Sequence, residues 1–202
     1  MLIWGWRTRT KTLSSGIFFS PRAGCDAPYE LVEARKWFTF FFIPLIPLSV
    51  LGTYVRCGLT GAEYDAKILE APTNADVLGQ LVLGTREMVA TAANAGGFVS
   101  DNTRRLAVDA VRDHVAEYDD AQLEQDLRTA GQAPLADRLR YLSGTISDTG
   151  KERLLLSAAA LITADGIPNP ATDQAVRWMG EQLLLSPAHV HGIIAQATSQ
   201  LT

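Results

Sequence analysis

The apolar segment Trp37–Val55 constrains the fold of this 202-residue chain most strongly, because two prolines interrupt it. A membrane-spanning helix needs about 20 consecutive apolar residues. Before Pro44 and Pro47, the uninterrupted part, Trp37–Ile43, has only seven residues. Proline also lacks a backbone donor and breaks a helix interior. The β-branched and aromatic residues of this segment therefore predict a strand that turns a corner.

The same segment has more aromatic side chains than a small β domain can easily bury. An exposed aromatic surface of this kind is typical of contact with a protein or with lipid. We expect the interaction surface to include Trp37, Phe38, Phe40 and Phe42. Its partner would be an unidentified protein or, as the alternative, a membrane face.

Three stretches of the N-terminal part resemble the small bacterial zinc-ribbon family. They are Met1–Trp6 (MLIWGW), Arg35–Leu48 (RKWFTFFFIPLIPL) and Tyr54–Tyr64 (YVRCGLTGAEY). The family carries the patterns WGW, C-P-x-C-G, RWFTLFFIPLIPL and C-x-x-C-G in this order. The resemblance implies a small antiparallel β domain over residues 1–65.

Most of the zinc ligands that the family pattern implies are missing. Ser20 and Ala23 stand where the first turn would have cysteines, and Cys25 lies two residues further on. In the second turn Cys57 remains, and Thr60 replaces its partner. A structural zinc site needs four Cys or His ligands in a tetrahedral arrangement. We therefore expect that this domain binds no zinc.

Metal binding supplies much of the folding free energy of such domains, so something must replace it here. Two replacements are open: packing of the aromatic strand on the helical part, or a disulfide between Cys25 and Cys57. The N-terminus shows no export signal, and disulfides are rare in a reducing cytoplasm. We therefore expect a cytoplasmic protein, with membrane association as the alternative, and two free, buried cysteines.

A linker at 66–74 separates the β domain from residues 75–202, which show helical periodicity. Apolar residues recur there at three- and four-residue spacing. The sequence therefore predicts an α+β chain, in which a small antiparallel sheet precedes an all-α bundle.

Several positions mark individual helices of this bundle. The apolar face of the first helix is expected to include Leu78, and the later helix at 173–185 to begin with Asp173. Ser100 and Asp119 are typical helix N-caps, since their side-chain oxygens can accept from the first free amides. Ser186 followed by Pro187 is a cap with proline at the first helical position.

A weak internal repeat occupies the helical part. Ala90–Gly97 (ATAANAGG) followed by Phe98 parallels Ala159–Gly166 (AALITADG) followed by Ile167, at an offset of 69 residues. Each copy combines a small-residue helix, a glycine turn and a capped second helix. This pattern, together with the stretch Leu155–Ile194, resembles the TerB-like domains of the tellurite-resistance type.

The TerB-like resemblance implies a divalent-cation site at the glycine turns. Asp165 keeps an acidic position of the family, whereas Gly96 stands at the equivalent position of the first copy. Thr172, followed by Asp173, stands where the family has glutamate. Because Ca2+ takes six to eight oxygen ligands, Asp165 and Asp173 are candidate ligands that need further carboxylates. The alternative is a polar turn at Asp165 and a helix-dipole role for Asp173.

Catalytic patterns such as G-x-S-x-G, a phosphate-binding glycine loop or H-E-x-x-H do not occur in the sequence. His189 and His191 lie two residues apart on one helix and so point to different faces. His114 is expected to be a half-buried structural residue. We therefore expect no enzymatic activity and no cofactor, with a divalent cation left open.

Charge is unevenly distributed along the chain. Residues 1–65 contain seven Lys/Arg and five Asp/Glu, whereas residues 66–202 contain eleven and seventeen. This weak basic bias does not predict nucleic-acid binding, which usually shows a clear basic stripe. It suits loose contact with an anionic surface or an acidic partner.

Three functions are consistent with these features. The favoured one is a non-catalytic interaction module, in which the aromatic strand contacts a protein or membrane face and the helical bundle binds a second protein. The second is a metal-linked stress-response protein of the tellurite-resistance type. The third is an enzyme of a kind that no known motif reveals.

Overall fold

A computed structural model describes residues 4–40, 43–131 and 134–199. The chain divides into two compact units, Met1–Asp76 and Val77–Thr202. The first contains a four-stranded antiparallel sheet, and helices follow it. The predicted α+β class, with the sheet before the helices, is confirmed.

The sheet consists of strands β1 (Trp4–Ser20), β2 (Cys25–Phe40), β3 (Ile43–Cys57) and β4 (Glu63–Asp65) in sequential order. Each strand pairs antiparallel with the next, as consecutive hairpin strands do. The first three strands have 15 to 17 residues, well above the usual strand length of about 5–6 residues. The sheet is therefore much longer than it is wide.

The apolar segment with two prolines forms the second hairpin of this sheet. Chain direction reverses between Phe40 and Ile43, which face each other in the register of β2 and β3. Pro44 and Pro47 lie in the part of β3 that pairs only with β2, because β4 reaches only the residues Tyr54–Arg56. An edge position suits proline, since its missing N–H would otherwise leave a gap in the ladder. The prediction of β structure is confirmed, but the corner was misplaced, because the chain reverses before the prolines and β3 runs through both of them.

A small apolar core lies at the inner end of the sheet, near the β1–β2 and β3–β4 turns. Phe18, Ala27, Val55 and Cys57 are at most 1% exposed. The ring of Phe18 contacts those of Tyr29 and Tyr64 edge-to-face, with centroids 5.9 and 5.7 Å apart. Half-buried side chains complete this core: Tyr29, Leu31, Tyr64, Ile68 and Leu69. This core lies in the half of the sheet that contains these two turns.

The predicted linker contains a short 3-10 helix, Ala66–Glu70, and ends where the first α-helix begins at Asn74. Thr73 caps that helix: its hydroxyl accepts from the Asp76 amide at 3.1 Å and donates to the Asp76 carboxylate at 2.7 Å. Among the described residues, no helix combines the length and the apolar character needed to cross a bilayer.

In the part of the chain that the structure describes, seven α-helices follow the sheet. Their bounds are α1 Asn74–Ala95, α2 Asp101–Arg112, α3 Asp120–Thr129, α4 Leu135–Thr145, α5 Asp148–Ala159, α6 Pro170–Gln182 and α7 Pro187–Ser199. A 3-10 turn, Ala160–Thr163, extends α5. In the second unit, α5 packs against α2, α6 and α7, and its side chains Leu154, Leu155, Ala158 and Ala159 are almost completely buried.

The predicted caps Ser100 and Asp119 are confirmed. The Ser100 hydroxyl accepts from the Thr103 amide at 3.0 Å, and Asp119 forms a capping box with Gln122. The prediction that α6 begins at Asp173 is wrong by one turn, because Asn169 caps the helix and Pro170 occupies its first position.

The inward position expected for Leu78 is also wrong, because this side chain is 60% exposed. The core face of α1 begins later along the helix, at Gly84 and Thr85, and continues with Met88 and Val89.

A charged cluster joins α1 to α3. The Arg86 guanidinium donates to both carboxylate oxygens of Asp126 at 2.8 Å, and the Tyr118 hydroxyl donates to the same carboxylate at 2.6 Å. The Arg86 guanidinium also lies 5.4 Å from the centre of the Tyr118 ring. Burial and the neighbouring carboxylate raise the pKa of Tyr118 well above its usual range. Asp126 therefore binds both Arg86 and Tyr118, and the sequence pattern did not predict either contact.

Candidate functional site

The outer half of the sheet lies beyond the small core and is the most distinctive surface of the first unit. We call it the outer sheet and define it as residues 4–12, 33–40 and 43–52. It contains five basic residues, Arg7, Arg9, Lys11, Arg35 and Lys36, and one acidic residue, Glu33. Most of the positive charge of the β domain is therefore concentrated here.

One face of the outer sheet is apolar. Trp6, Phe38 and Ile46 are direct cross-strand neighbours and so lie on the same face. The rings of Trp6 and Phe38 meet edge-to-face, 5.5 Å apart, and the Lys36 ammonium lies 5.0 Å from the Trp6 ring centre. Trp6 and Ile46 are each 54% exposed.

The opposite face of the outer sheet is basic. Along β1, Arg7 and Arg9 lie on the face opposite to that of Trp6. In the register of β1 and β2, Arg7 pairs with Trp37 and Arg9 pairs with Arg35. An open cleft of about 450 Å³ lies on this side of the sheet. Its lining includes Arg9, Lys11, Glu33, Arg35 and Trp37.

Three cations line this cleft with one carboxylate. Arg35 donates to Glu33 with N···O distances of 3.0 and 3.2 Å, so this acid is engaged by the neighbouring cation. Arg9 and Lys11 lie on β1 and are exposed. The cleft is therefore net positive and open to solvent.

Exposed aliphatic side chains also lie along β3, where Val50 pairs with Arg35 and so lies on the basic face. Leu48, Val50 and Leu51 are 48–57% exposed. Of the predicted interaction residues, Trp37 and Phe38 lie half-buried on opposite faces of the outer sheet. Phe40 is the last residue of β2, and Phe42 lies outside the described residues.

The two turns that the zinc-ribbon resemblance singled out have the same backbone geometry. In the first, the Gly24 amide donates to the Ser20 carbonyl at 2.8 Å; in the second, the Gly61 amide donates to the Cys57 carbonyl at 2.9 Å. Both glycines have φ of +68°, a left-handed conformation that glycine adopts without strain. The chain therefore repeats one turn at two positions.

A hydrogen-bonded cluster of polar side chains lies between these turns. The Cys57 thiol donates to the Ser20 hydroxyl at 3.5 Å, and that hydroxyl is 3.2 Å from the hydroxyl of Tyr64. The Ala23 amide donates to the Ser20 oxygen at 3.4 Å. The hydroxyl of Thr60, then that of Ser20 and nearby amides, stabilise the thiolate and lower the pKa of Cys57 to about 7, against the effect of burial. All four implied zinc positions therefore meet around one polar centre.

The two cysteines are both free, and they differ in environment. Cys57 is buried, whereas Cys25 is exposed, so the prediction of two buried cysteines is wrong for Cys25. The cause is its position at the start of β2, directly after the turn and outside the small core.

The two glycine turns of the internal repeat lie side by side in the helical unit. Ser100 caps α2 and Asn169 caps α6, at equivalent positions of the repeat. Ser100 donates to the Asp165 carboxylate of the second turn, and Asn169 donates to the Gly96 carbonyl of the first at 3.4 Å. Each cap therefore also bonds to the opposite turn.

A cleft of about 240 Å³ lies between these turns. Its lining includes Phe98 and Ile167, which follow the two glycines at equivalent positions and are 84% and 78% exposed. Two large apolar side chains at matching positions form an exposed pair at this cleft. Sequence comparison of the two copies identified both positions, although it did not indicate their exposure.

The candidate cation ligands have other partners. Asp165 accepts from Ser100, while Asp173 accepts from Arg177 at 2.6 and 3.2 Å. A side chain at Gly96 would require its neighbours to shift, because a Cβ there would lie 3.0 Å from the Asn169 side-chain nitrogen and 3.3 Å from the Thr172 hydroxyl. In the part of the chain that the structure describes, no three His, Cys, Asp or Glu side chains form a group suited to a metal ion.

The histidines lie apart from these sites. His114 is exposed, which corrects the prediction of a half-buried position, because α2 ends at Arg112 and His114 lies in the following turn. His189 bonds to Glu152 at 2.7 Å, and His191 is exposed.

Comparison with known proteins adds no family assignment: no family model, curated protein or solved structure matches this chain significantly.

Proposed function

We propose that this protein is a non-catalytic interaction module that docks on a membrane face through its outer sheet. The observation that supports this most directly is the combination of exposed apolar residues and basic residues on the outer sheet. Trp6, Ile46 and the aliphatic residues of β3 are about half exposed there. The surrounding cations make the same region positive.

The chemistry of these side chains favours a membrane over other occupants. Single-stranded nucleic acid stacks on aromatic rings, and exposed aliphatic residues such as Leu48 and Leu51 add little to such binding. At a bilayer surface, aliphatic side chains enter the acyl boundary and tryptophan prefers the interface. Lysine and arginine can bury their stems while the charged heads remain at the headgroups. The outer sheet has all three types of residue.

Vesicle co-sedimentation of the full chain tests this proposal. The variant Trp6→Ser/Ile46→Ser removes two half-exposed apolar side chains, and full burial of each contributes about 1.5–3 kcal/mol. Because docking buries only part of each side chain, we expect the affinity for vesicles to fall by roughly tenfold to a hundredfold. Phe40→Ser and Phe42→Ser are expected to weaken binding as well.

Matched controls separate docking from general loss of apolar surface. Ile17 and Leu59 are exposed to 60% and 61% but lie in the inner half of the same unit. The variant Ile17→Ser/Leu59→Ser should bind vesicles like the wild type, with unchanged far-ultraviolet circular dichroism. If both double variants bind equally well, the outer sheet is not the docking surface.

The helical unit is proposed to bind a second partner, a protein, at the cleft between the glycine turns. The supporting observation is the exposed pair Phe98 and Ile167. Affinity purification with the wild type and with the control Leu78→Ser should retain the same partner protein. The variant Phe98→Ser/Ile167→Ser should no longer retain it. Identical retained proteins for all three chains would contradict this part of the proposal.

A further inference from the structure

The basic cleft of the outer sheet has the features of a site for an anionic headgroup. We infer that the cleft with Arg9, Lys11, Arg35 and Trp37 binds the phosphate of an anionic phospholipid, so that the membrane this protein docks on must carry negative charge. This inference rests on the proposed function and specifies the lipid.

The charge of the cleft favours an anion. Arg9 and Arg35 face each other in the register of β1 and β2, and Lys11 lies two residues along on the same face. Glu33, the cross-strand partner of Lys11, is bonded to Arg35. Three cations against one acid leave an excess of positive charge, which a phosphate can neutralise.

The hydrogen-bond donors of the cleft suit the geometry of a phosphate. Arginine presents several N–H groups in a planar fork that matches phosphate oxygens, and lysine adds a compact charge. Arg9 and Lys11 are exposed, so a ligand reaches them without any change in the fold. The volume of about 450 Å³ falls in the range of small-ligand sites, about 300–1,000 Å³.

Apolar side chains border the cleft. Trp37 lines it and is half-buried, a position that suits a residue at the boundary between headgroups and hydrocarbon. Arg35 pairs in register with Val50 of β3, so this half-exposed apolar side chain lies on the same face as the cleft. A phosphate in the cleft would therefore lie beside apolar side chains that enter the same leaflet. A free phosphate ion would gain nothing from these apolar neighbours, whereas the acyl chains of a lipid would contact them. We therefore assign the site to lipid.

The test uses the full chain with vesicles of phosphatidylcholine alone and vesicles that also contain phosphatidylglycerol. We expect binding only to the second kind, and weaker binding as the salt concentration rises. Arg9→Gln/Lys11→Gln removes two cations from the cleft. Because each basic residue near an anionic surface contributes about 1 kcal/mol, binding should fall roughly thirtyfold.

A control with the same change in net charge distinguishes the cleft from charge in general. Arg22 and Lys67 are exposed residues of the same unit outside the outer sheet, so Arg22→Gln/Lys67→Gln should retain nearly full binding. Equal losses in the two double variants would overturn the inference. Release of the protein from vesicles by inorganic phosphate at constant ionic strength would overturn the assignment to lipid.

The outcomes also separate this inference from the proposed function. Equal binding to both kinds of vesicle would overturn the inference and leave membrane docking in place. No binding to either kind would overturn both.

Discussion

Ser100 and Asn169 cap two different helices from equivalent positions, and each side chain also bonds to the glycine turn of the other copy. The two halves of the repeat are thus joined by reciprocal contacts. Thr172 adds a third link, because its buried hydroxyl donates to the Ala92 carbonyl at 3.3 Å. Substitution of either cap should therefore lower the free energy of unfolding by more than substitution of an ordinary helix cap does.

Asn169→Ala is the direct test of this linkage. The variant removes the cap of α6, which accepts from the amides of Ala171 and Thr172, and the bond to the Gly96 carbonyl. We expect the free energy of unfolding to fall by about 2 kcal/mol, measured by urea denaturation. Ser147→Ala, which removes only the cap of α5, should cost about 1 kcal/mol. Equal losses would mean that the bond between the turns adds no stability.

Gly180 permits the close approach of α6 to α7 and α5. A Cβ at this position would lie 2.5 Å from a methyl group of Val190 and 3.2 Å from one of Leu155. Gly180→Ala should therefore lower the free energy of unfolding by about 1–3 kcal/mol through overpacking.

The matched control is Gly79→Ala, in α1. That site is exposed and has no atom within 4 Å of an added Cβ. This variant should gain up to about 1 kcal/mol, because alanine favours the helix more than glycine does. If Gly180→Ala also raised the free energy of unfolding, the approach of α6 to α7 at Gly180 could not be this close.

Asp126 should contribute more to stability than its neighbour Glu124, although both pair with an arginine. The Asp126 carboxylate is 14% exposed and holds both Arg86 and Tyr118, whereas Glu124 is 39% exposed in its pair with Arg104. Asp126→Ala leaves two partly buried donors unsatisfied and should cost about 2–4 kcal/mol.

Glu124→Ala breaks two solvent-exposed ion pairs, with Arg104 and Arg128, and we expect a loss of at most about 1 kcal/mol. Thermal denaturation of the two variants of α3 in parallel measures the difference. If both lose the same amount, the Asp126 cluster behaves as a surface ion pair.

The Cys57 thiol should make stability depend on pH. Its pKa in the folded protein is about 7, chiefly because of the Thr60 hydroxyl, and lies below that of an unfolded cysteine. A depressed pKa stabilises the fold fully above the unfolded pKa, and this contribution is lost as the pH falls through 7. Stability should therefore rise between about pH 7 and pH 8.5.

Two variants check the origin of this effect in a Cys25→Ser background. Cys57→Ser should remove the rise, and Thr60→Val should move the thiolate absorbance, followed in the ultraviolet, to higher pH. An unchanged titration in Thr60→Val would exclude the hydroxyl as the main cause.

The paired turns should accept a metal once cysteines occupy the positions that the zinc-ribbon resemblance implies. The Ser20 oxygen and the Cys57 sulfur are 3.5 Å apart. Two sulfurs on one tetrahedral zinc are separated by about 3.8 Å, given Zn–S bonds of about 2.3 Å. Ser20→Cys/Ala23→Cys/Thr60→Cys is therefore expected to bind one zinc per chain, measured by elemental mass spectrometry.

The wild-type protein, purified without chelators, is the control and should carry no stoichiometric zinc. A triple variant that remains free of zinc would show that the two turns are unsuitably placed for a shared ion.

Local patterns in the sequence were sufficient for the sheet-then-helix order and for several helix starts. Ser100 and Asp119 could be predicted because a cap depends on residues within one turn. Pro44 and Pro47 excluded a long helix for an equally local reason, the missing donor. The start of α6 was misplaced since Asn169, its true cap, lies in a turn assigned to the repeat.

The remaining features depend on contacts between distant parts of the chain. Periodicity places Leu78 on an apolar face, yet which turns of α1 are covered depends on where α3 and α4 pack. The link of Arg86 to Asp126 spans 40 residues and leaves no local pattern. The cluster around Cys57 was indicated only by family resemblance, because the hydroxyls of Ser20 and Thr60 look like ordinary turn residues.

The two prolines of β3 also protect the sheet from self-association. A long sheet with free edges invites further strands to add at those edges, which leads to aggregation. On one side, Pro44 and Pro47 offer no N–H to an incoming strand, and β-bulges disturb the ladder beside them. On the other side, β1 presents the closely spaced charges of Arg7, Arg9 and Lys11. The outer sheet can therefore expose apolar faces for docking while its edges resist growth into fibrils.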